Sequence, residues 1–253
     1  MIHQTAIIDK TALIAKEVEI GPYSVIGPEV EIGEGTVIGP HVVIQGPTRI
    51  GCHNKIYQFA SLGAASQDKK HTGQRAYLEV GDRNIIRECT TLNRGSKEGT
   101  LTKIGNDNLL MAYVHIAHDC IVGNNVVFAN NASLAGHVIV EDYVILSGFS
   151  GVFQFCRIGA HSFATTNSVI IKDVPPFVKV AGYYAKPYGL NTVGLERLGY
   201  SADIVKRLRQ AYKIIYRKKL TIVNALEELK QMNCEYVNKL VHFIEGSDAG
   251  IVR

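Results

Sequence analysis

The chain is organised by a six-residue period. Stepping by six from Ile8, the positions read Ile8, Ile14, Ile20, Ile26, Ile32, Ile38, Ile44, Ile50, Ile56 and Leu62. They resume at Val80, Ile86 and Leu92, then at Ile104, Leu110, Ile116, Val122, Phe128, Leu134, Val140, Leu146, Val152, Ile158, Ala164 and Ile170. Of the 28 steps from 8 to 170 only Asp68, Gln74 and Glu98 are polar, in a chain that is 46% hydrophobic, so chance placement is excluded. Six residues suit one short strand and a tight bend, and Gly or Asn follows many of the apolar positions. Three such strands close a triangular coil, and stacked coils pair edge to edge about 4.8 Å apart. The pattern therefore predicts an all-β parallel β-helix of about nine coils, a prism roughly 45 Å long. Each inward Ile or Leu stacks on its equivalent one coil away, contributing roughly 1.5–3 kcal/mol before conformational entropy is subtracted. An α-helix fails because the period is not 3.6, and a sandwich needs longer turns.

The three exceptions fall in two polar, glycine-rich stretches, near 63–77 and 93–103. Both read as loops thrown out from the coil, where function commonly sits on a rigid scaffold. Beyond Ile170 the period stops, and Val174-Pro175-Pro176-Phe177 and Lys186-Pro187-Tyr188-Gly189 read as linkers. A helical period follows. Ser201 is a candidate N-cap for a face of Ile204, Leu208, Ala211, Tyr212 and Ile215. A second helix is expected after Thr221 (Val223, Leu226, Leu229) and a third after Asn233 (Val237, Leu240, Val241, Ile244). The expected division is a β-helix catalytic domain over 1–185 and an α-helical domain over 186–253, the latter covering the open end of the last coil.

Composition narrows the function classes. The net charge of +4 is too mild to imply nucleic acid, although Lys206, Arg207, Arg209, Lys213, Arg217, Lys218 and Lys219 concentrate positive charge on the first helix. No apolar run reaches the ~20 residues of a membrane span, and the N-terminus lacks the pattern of a signal peptide. The five cysteines are scattered and never in a CxxC pair, which fits a reduced cytoplasmic protein. Asn131-Ala132-Ser133 is then a chance sequon. Gly33-Glu34-Gly35-Thr36-Val37-Ile38-Gly39 is explained by the repeat, no P-loop is present, and no covalent nucleophile presents itself.

The unusual cluster is His115-Ile116-Ala117-His118-Asp119-Cys120, with His137 following His118 by one coil plus one position. His118 and His137 are therefore expected on adjacent coils near one corner, with His115 beside them. Imidazole suits a general base, and Asp119 can orient it. Single histidines in such turns usually bond turn carbonyls; three together point to chemistry. Three histidines on stacked coils also suit zinc with an open position, as in γ-type carbonic anhydrases.

These segments, with Gln67-Asp68-Lys69-Lys70, Gly81-Asp82-Arg83-Asn84, Thr90-Thr91-Leu92-Asn93-Arg94-Gly95, Leu134-Ala135-Gly136-His137-Val138, Gln154-Phe155-Cys156 and Asp173-Val174-Pro175-Pro176, carry a resemblance. Over essentially its whole length the chain resembles the UDP-N-acetylglucosamine O-acyltransferases of lipid A biosynthesis. That resemblance implies a left-handed β-helix, a cytoplasmic homotrimer, and transfer of a 3-hydroxyacyl chain from acyl carrier protein to the sugar 3-hydroxyl. It implies His118 as general base, Asp119 as its orienting partner and the Gly148 amide as oxyanion donor. Gln67, Asp68, Lys70, His115, His137, Gln154, Asn191 and Arg197 match substrate-binding positions, and the basic first helix matches the carrier dock. No cofactor or metal is implied, only the carrier thioester as co-substrate. The chain departs from the family at Phe153 and Tyr184, where histidines are usual, at Leu198 in place of an arginine, and at Thr165-Thr166 in place of a glycine pair. Thr166 is expected to narrow the acyl channel. The other departures raise the alternative of a UDP-3-amino sugar as acceptor.

Overall fold

The computed structural model describes all 253 residues. Its first two thirds is a left-handed parallel β-helix. Three parallel sheets form the prism walls, here sheet A with ten strands, sheet B with nine and sheet C with eight, and successive strands pass from B to C to A. Every predicted inward position from Ile20 to Ile170 outside the two loops is buried, whereas Ile8 and Ile14 at the open N-terminal end are half-buried. The position two residues earlier also points inward and takes smaller side chains, such as Val30, Ala60, Val114 and Val138. A triangular coil leaves room for one large and one small residue per side, so the core alternates by size. Polar residues at the small position bond across coils: Asn84 N–H donates to Asn54 Oδ1 (2.9 Å) and Asn108 N–H to Asn84 Oδ1 (3.0 Å).

The two loops leave the prism at the corner between sheets B and C. One joins strands Ser61–Ala64 and Tyr77–Val80, and the other joins Thr91–Asn93 and Leu101–Ile104. They lengthen their coils without disturbing the period. Along sheet B, Leu62 pairs with Leu92, Leu92 with Ile116, and Ile116 with Leu134. The last of these steps is a regular coil of three repeats. The first step spans five repeats and the second spans four, so the count by six passes through both loops.

The tail contains four helices: α1 (Thr192–Arg197), α2 (Ala202–Tyr216), α3 (Ile222–Lys230) and α4 (Glu235–Glu245). Ser201 caps α2 as predicted, accepting from the Ile204 N–H, and α3 follows Thr221 as expected, with Thr221 capping it by accepting from the Asn224 N–H. α4 starts after Cys234, without a side-chain cap bond. The sequence reading missed α1, and it placed Val223 on the inner face of α3, where Ala225 is buried and Val223 is exposed. The hairpin Val178–Ala181/Lys186–Leu190 crosses the expected boundary at 185 and continues sheet A, so the helical part begins only at Thr192. Tyr212 and Val252 join the prism core, and Val252 N–H donates to Asp173 O (2.9 Å). The last coil is thereby closed and its strand edge paired. No helix is long and apolar enough to cross a membrane.

Candidate active site

His118 and Asp119 occupy the B–C corner between strands His115–Ile116 and Ile121–Val122. Asp119 adopts a left-handed conformation (φ 60°), as do His137 (61°) and Phe155 (64°) above it on the next two coils. Such residues turn the chain, and the N–H of each upper one caps the coil below: His137 N–H donates to His118 O (3.0 Å) and Phe155 N–H to Gly136 O (3.2 Å). The corner therefore presents two columns, one of His118, Gly136 and Gln154, the other of Asp119, His137 and Phe155.

The His118 Nδ1 atom lies 2.8 Å from Asp119 Oδ2. A carboxylate only accepts, so Nδ1 carries a proton, which in the neutral ring leaves the lone pair on Nε2. The two side chains are only 13% and 7% exposed, so their pairing is poorly screened. Asp119 Oδ2 also accepts from Ser96 Oγ at 2.6 Å. Burial acts to raise the Asp119 pKa, but hydrogen bonds from Ser96, Thr100 and His118 outweigh it and hold the carboxyl below its ordinary value. His137 stands edge-on to His118 (centroids 5.2 Å apart), stacks on Phe155 (4.7 Å), and brings Nε2 within 3.6 Å of Asp119 Oδ2. Burial lowers the His137 pKa against the opposing pull of Asp119. The charge of Lys97 in the second loop also lowers the His137 pKa, and that of Asp68 in the first loop opposes it.

His115 is not on the corner. It lies on the flat face of sheet B, with Nδ1 2.7 Å from Thr91 Oγ1, and burial followed by the charge of His118 lowers its pKa. The expected group of three histidines is thus a pair on the corner and one on the face. Above His115 an apolar groove of about 380 Å³ runs along sheet B, lined by Ser133, Gly151, Phe153 and Val169 among others. Phe153 is exposed on the rim of this groove.

Within one chain Gly148 and His118 lie on different corners of the prism. Gly148 follows strand Ile145–Leu146 of sheet A and precedes Gly151–Val152 of sheet B, so it belongs to the A–B corner and not to the corner of His118. It lies five repeats beyond His118, which is not a whole number of three-repeat coils. The glycine beside the imidazole is Gly136, one coil above, where an added Cβ would sit 2.5 Å from His118 Cε1 and 2.7 Å from Nε2. Its N–H donates to no protein acceptor. Thr166 shares the A–B corner with Gly148, away from the His118 dyad within one chain.

Of the other expected site residues, Gln154 lies in the His118 column and is exposed, and Gln67, Asp68 and Lys70 lie in the first loop. Asp68 Oδ1 accepts the Lys70 N–H (3.0 Å), closing a local turn. Asn191 and Arg197 are elsewhere. Asn191 Nδ2 donates to His161 O (2.9 Å) and its Oδ1 caps α1, while Arg197 is exposed in the last turn of α1. The sequence reading assigned no role to Ser96, Thr91 or Gly136; of the three, Gly136 alone carried a positional signal, following His118 by one regular coil of three repeats.

His118, Asp119 and His137 bring possible metal-ligand atoms within 4.8 Å of one another. His115, the third histidine of the zinc reading, lies outside this group and is bonded to Thr91.

Comparison with known proteins gives this corner its context. Residues 173–252 match the family model described as Udp N-acetylglucosamine O-acyltransferase, Domain 2, and residues 2–46 and 101–136 match the bacterial transferase hexapeptide. The acyl-[acyl-carrier-protein]–UDP-N-acetylglucosamine O-acyltransferase of Thiobacillus denitrificans is 55% identical over 255 aligned positions, spanning 100% of this chain and 99% of the relative. That of Janthinobacterium sp. is 52% identical over 260, with the same coverage. The chain belongs to the UDP-N-acetylglucosamine O-acyltransferase family. It is an acyltransferase. Among solved members of the family, the Francisella novicida enzyme superposes with a TM-score of 0.97 at 41% identity, covering 100% of this chain and 94% of that one. The Bacteroides fragilis enzyme gives 0.98 at 36% identity, with both chains fully covered.

Proposed function

We propose that this acyltransferase moves a 3-hydroxyacyl chain from acyl carrier protein to the 3-hydroxyl of UDP-N-acetylglucosamine, an early step of lipid A biosynthesis. The observation that carries the mechanism is the His118–Asp119 pair, with Nδ1–H on Oδ2 at 2.8 Å and the Gly136 amide on the adjoining coil. His118 Nε2 removes the proton from the sugar hydroxyl as its oxygen attacks the thioester carbonyl. Asp119 stabilises the resulting imidazolium, and the unpaired Gly136 N–H meets the oxyanion of the tetrahedral intermediate. Collapse breaks the C–S bond, and the departing thiolate takes the proton back from His118. No cofactor is needed beyond the carrier thioester. Asp68, Lys70, His137 and Gln154 are assigned to the sugar nucleotide, and the groove above His115 to the acyl chain.

A cytoplasmic homotrimer completes the site. Tyr23, Phe59, Tyr113 and Phe149 are exposed on alternate coils along the A–B corner, and this column of corner positions is a surface suited to a second copy. A neighbour approaching along that column would bring its A–B corner, with Thr166, towards the dyad. The exposed cations of α2 suit an acidic carrier protein.

The test incubates the protein with UDP-N-acetylglucosamine, its 3-amino analogue and a panel of 3-hydroxyacyl-carrier proteins, before and after exhaustive chelation, with products read by mass spectrometry. The expected outcome is acylated UDP-N-acetylglucosamine at a rate insensitive to chelation. Product from the amino analogue alone would reassign the acceptor, with Phe153, Tyr184 and Leu198 as the cause.

A further inference from the structure

The Asp119 carboxylate is held differently from other corner carboxylates. Asp82 and Asp142 accept backbone N–H groups of neighbouring coils, from Cys52 and Asn124 respectively, both at 2.7 Å, and so serve as rungs between coils. Beside the Nδ1–H of His118, Asp119 receives its donors from the second loop instead. Ser96 Oγ lies 2.6 Å from Oδ2, and the Ser96 N–H lies 3.2 and 3.3 Å from the two oxygens. Ser96 is buried, although Lys97, Glu98 and the next residue Gly99 are exposed. Its hydroxyl bonds nothing but Asp119.

The first loop fixes Ser96 in turn. The Ser96 carbonyl lies 3.1 Å from His71 Nδ1, which must donate because a carbonyl only accepts. Arg75 N–H donates to Glu98 Oε2 (2.9 Å) and Gly99 N–H to Arg75 O (2.8 Å), so the two loops brace each other beside the dyad.

We propose that Ser96 is a positioning residue for the acyl transfer, orienting Asp119 so that Oδ2 faces the Nδ1–H of His118 while the brace from His71 keeps the loop seated. The proposal rests on His118 and Asp119 acting as base and orienting partner. A short O–H···O⁻ bond is among the strong ones, and its loss frees the carboxylate to rotate away from the imidazole. Because the loop keeps its other hydrogen bonds, the loss falls on orientation and not on folding.

The experiment is a double-mutant cycle on the full-length protein with Ser96→Ala, Ser96→Thr, Asp119→Asn and the Ser96→Ala/Asp119→Asn pair, measuring kcat and both KM values. Ser96→Ala is expected to lower kcat about five- to twentyfold, with both KM values within about twofold. Ser96→Thr, which keeps the hydroxyl, restores kcat to within about twofold. In the Asp119→Asn background Ser96→Ala is expected to cost no more than about twofold, since the two act through one contact. An impaired Asp119→Asn beside a fully active Ser96→Ala would overturn the positioning role, as would an equal Ser96→Ala loss in both backgrounds. A fully active Asp119→Asn would instead overturn the reading of the dyad itself.

Discussion

Gly136→Ala is the sharpest perturbation of this site. The added methyl would lie 2.5 Å from His118 Cε1, 2.7 Å from Nε2 and 3.1 Å from Nδ1. Ordinary carbon contacts need about 3.5–4.0 Å, so the imidazole must retreat by about 1 Å. That retreat stretches the 2.8 Å bond to Asp119 and displaces Nε2 from the substrate hydroxyl. A misplacement of about 1 Å at the reacting atoms costs roughly a hundredfold in rate. Gly136 is not in the left-handed region, so alanine imposes no backbone strain there, and a Gly-to-Ala change otherwise adds about 0.4–1 kcal/mol by restricting the unfolded chain. The expected result is kcat reduced about a hundredfold with Tm changed by only a few degrees, measured by steady-state acyl transfer and thermal denaturation. Gly148→Ala is the matched control. A Cβ at Gly148 meets only Asn130 O, at 3.4 Å, so kcat is expected to stay within about threefold of the parent. Gly136→Ala with a near-parental kcat, or Gly148→Ala as the more damaged variant, would refute the assignment of the oxyanion corner.

Four further outcomes follow from the same geometry. His118→Ala is expected to lower kcat by about 10²–10⁴ while calorimetric affinity for UDP-N-acetylglucosamine changes less than about threefold; a full-rate variant would remove His118 as base. Thr166→Gly is expected to extend the longest acyl chain accepted by about two carbons, each buried CH₂ contributing about 0.8 kcal/mol, whereas an unchanged chain-length profile would place the end of the channel elsewhere. Charge reversal at Lys206 and Arg209, both exposed on α2, is expected to raise KM for the acyl-carrier protein about tenfold without moving KM for the sugar nucleotide, and a shift in the latter alone would contradict the docking surface. The fourth concerns His161, whose ring stacks between Tyr143 and Phe177, bonds Tyr200 OH through Nε2 at 3.0 Å, and leaves Nδ1 buried without a partner. Burial, then the charge of Lys239, lowers its pKa, so the unfolded chain takes up the proton first. Its contribution to stability is complete above about pH 6.5 and is lost as pH falls towards the lowered folded value. Tm is therefore expected to drop between pH 8 and pH 5 by less in His161→Phe than in the parent, and equal drops would refute the linkage.

The amino-acid order alone determined the β-helix, because a period of six is a local rule that each turn obeys independently. It also determined α2 and α3, whose caps at Ser201 and Thr221 lie next to the helices they start. The pairing of His118 with Asp119 was legible for the same reason, the two being chain neighbours on one turn. Tertiary structure decided which corner each turn occupies. A count by six does not distinguish the three corners, so it separates neither Gly148, on the A–B corner, nor Gly136, a full coil from His118, by its relation to the dyad. The loops concealed themselves further by lengthening one coil by two repeats and the next by one, which kept the period while changing the coil spacing. Only folding brought Ser96 of the second loop to Asp119, and Thr91 of the coil below to His115. Those contacts depend on how irregular segments pack over the prism, and no repeating pattern in the chain encodes that packing.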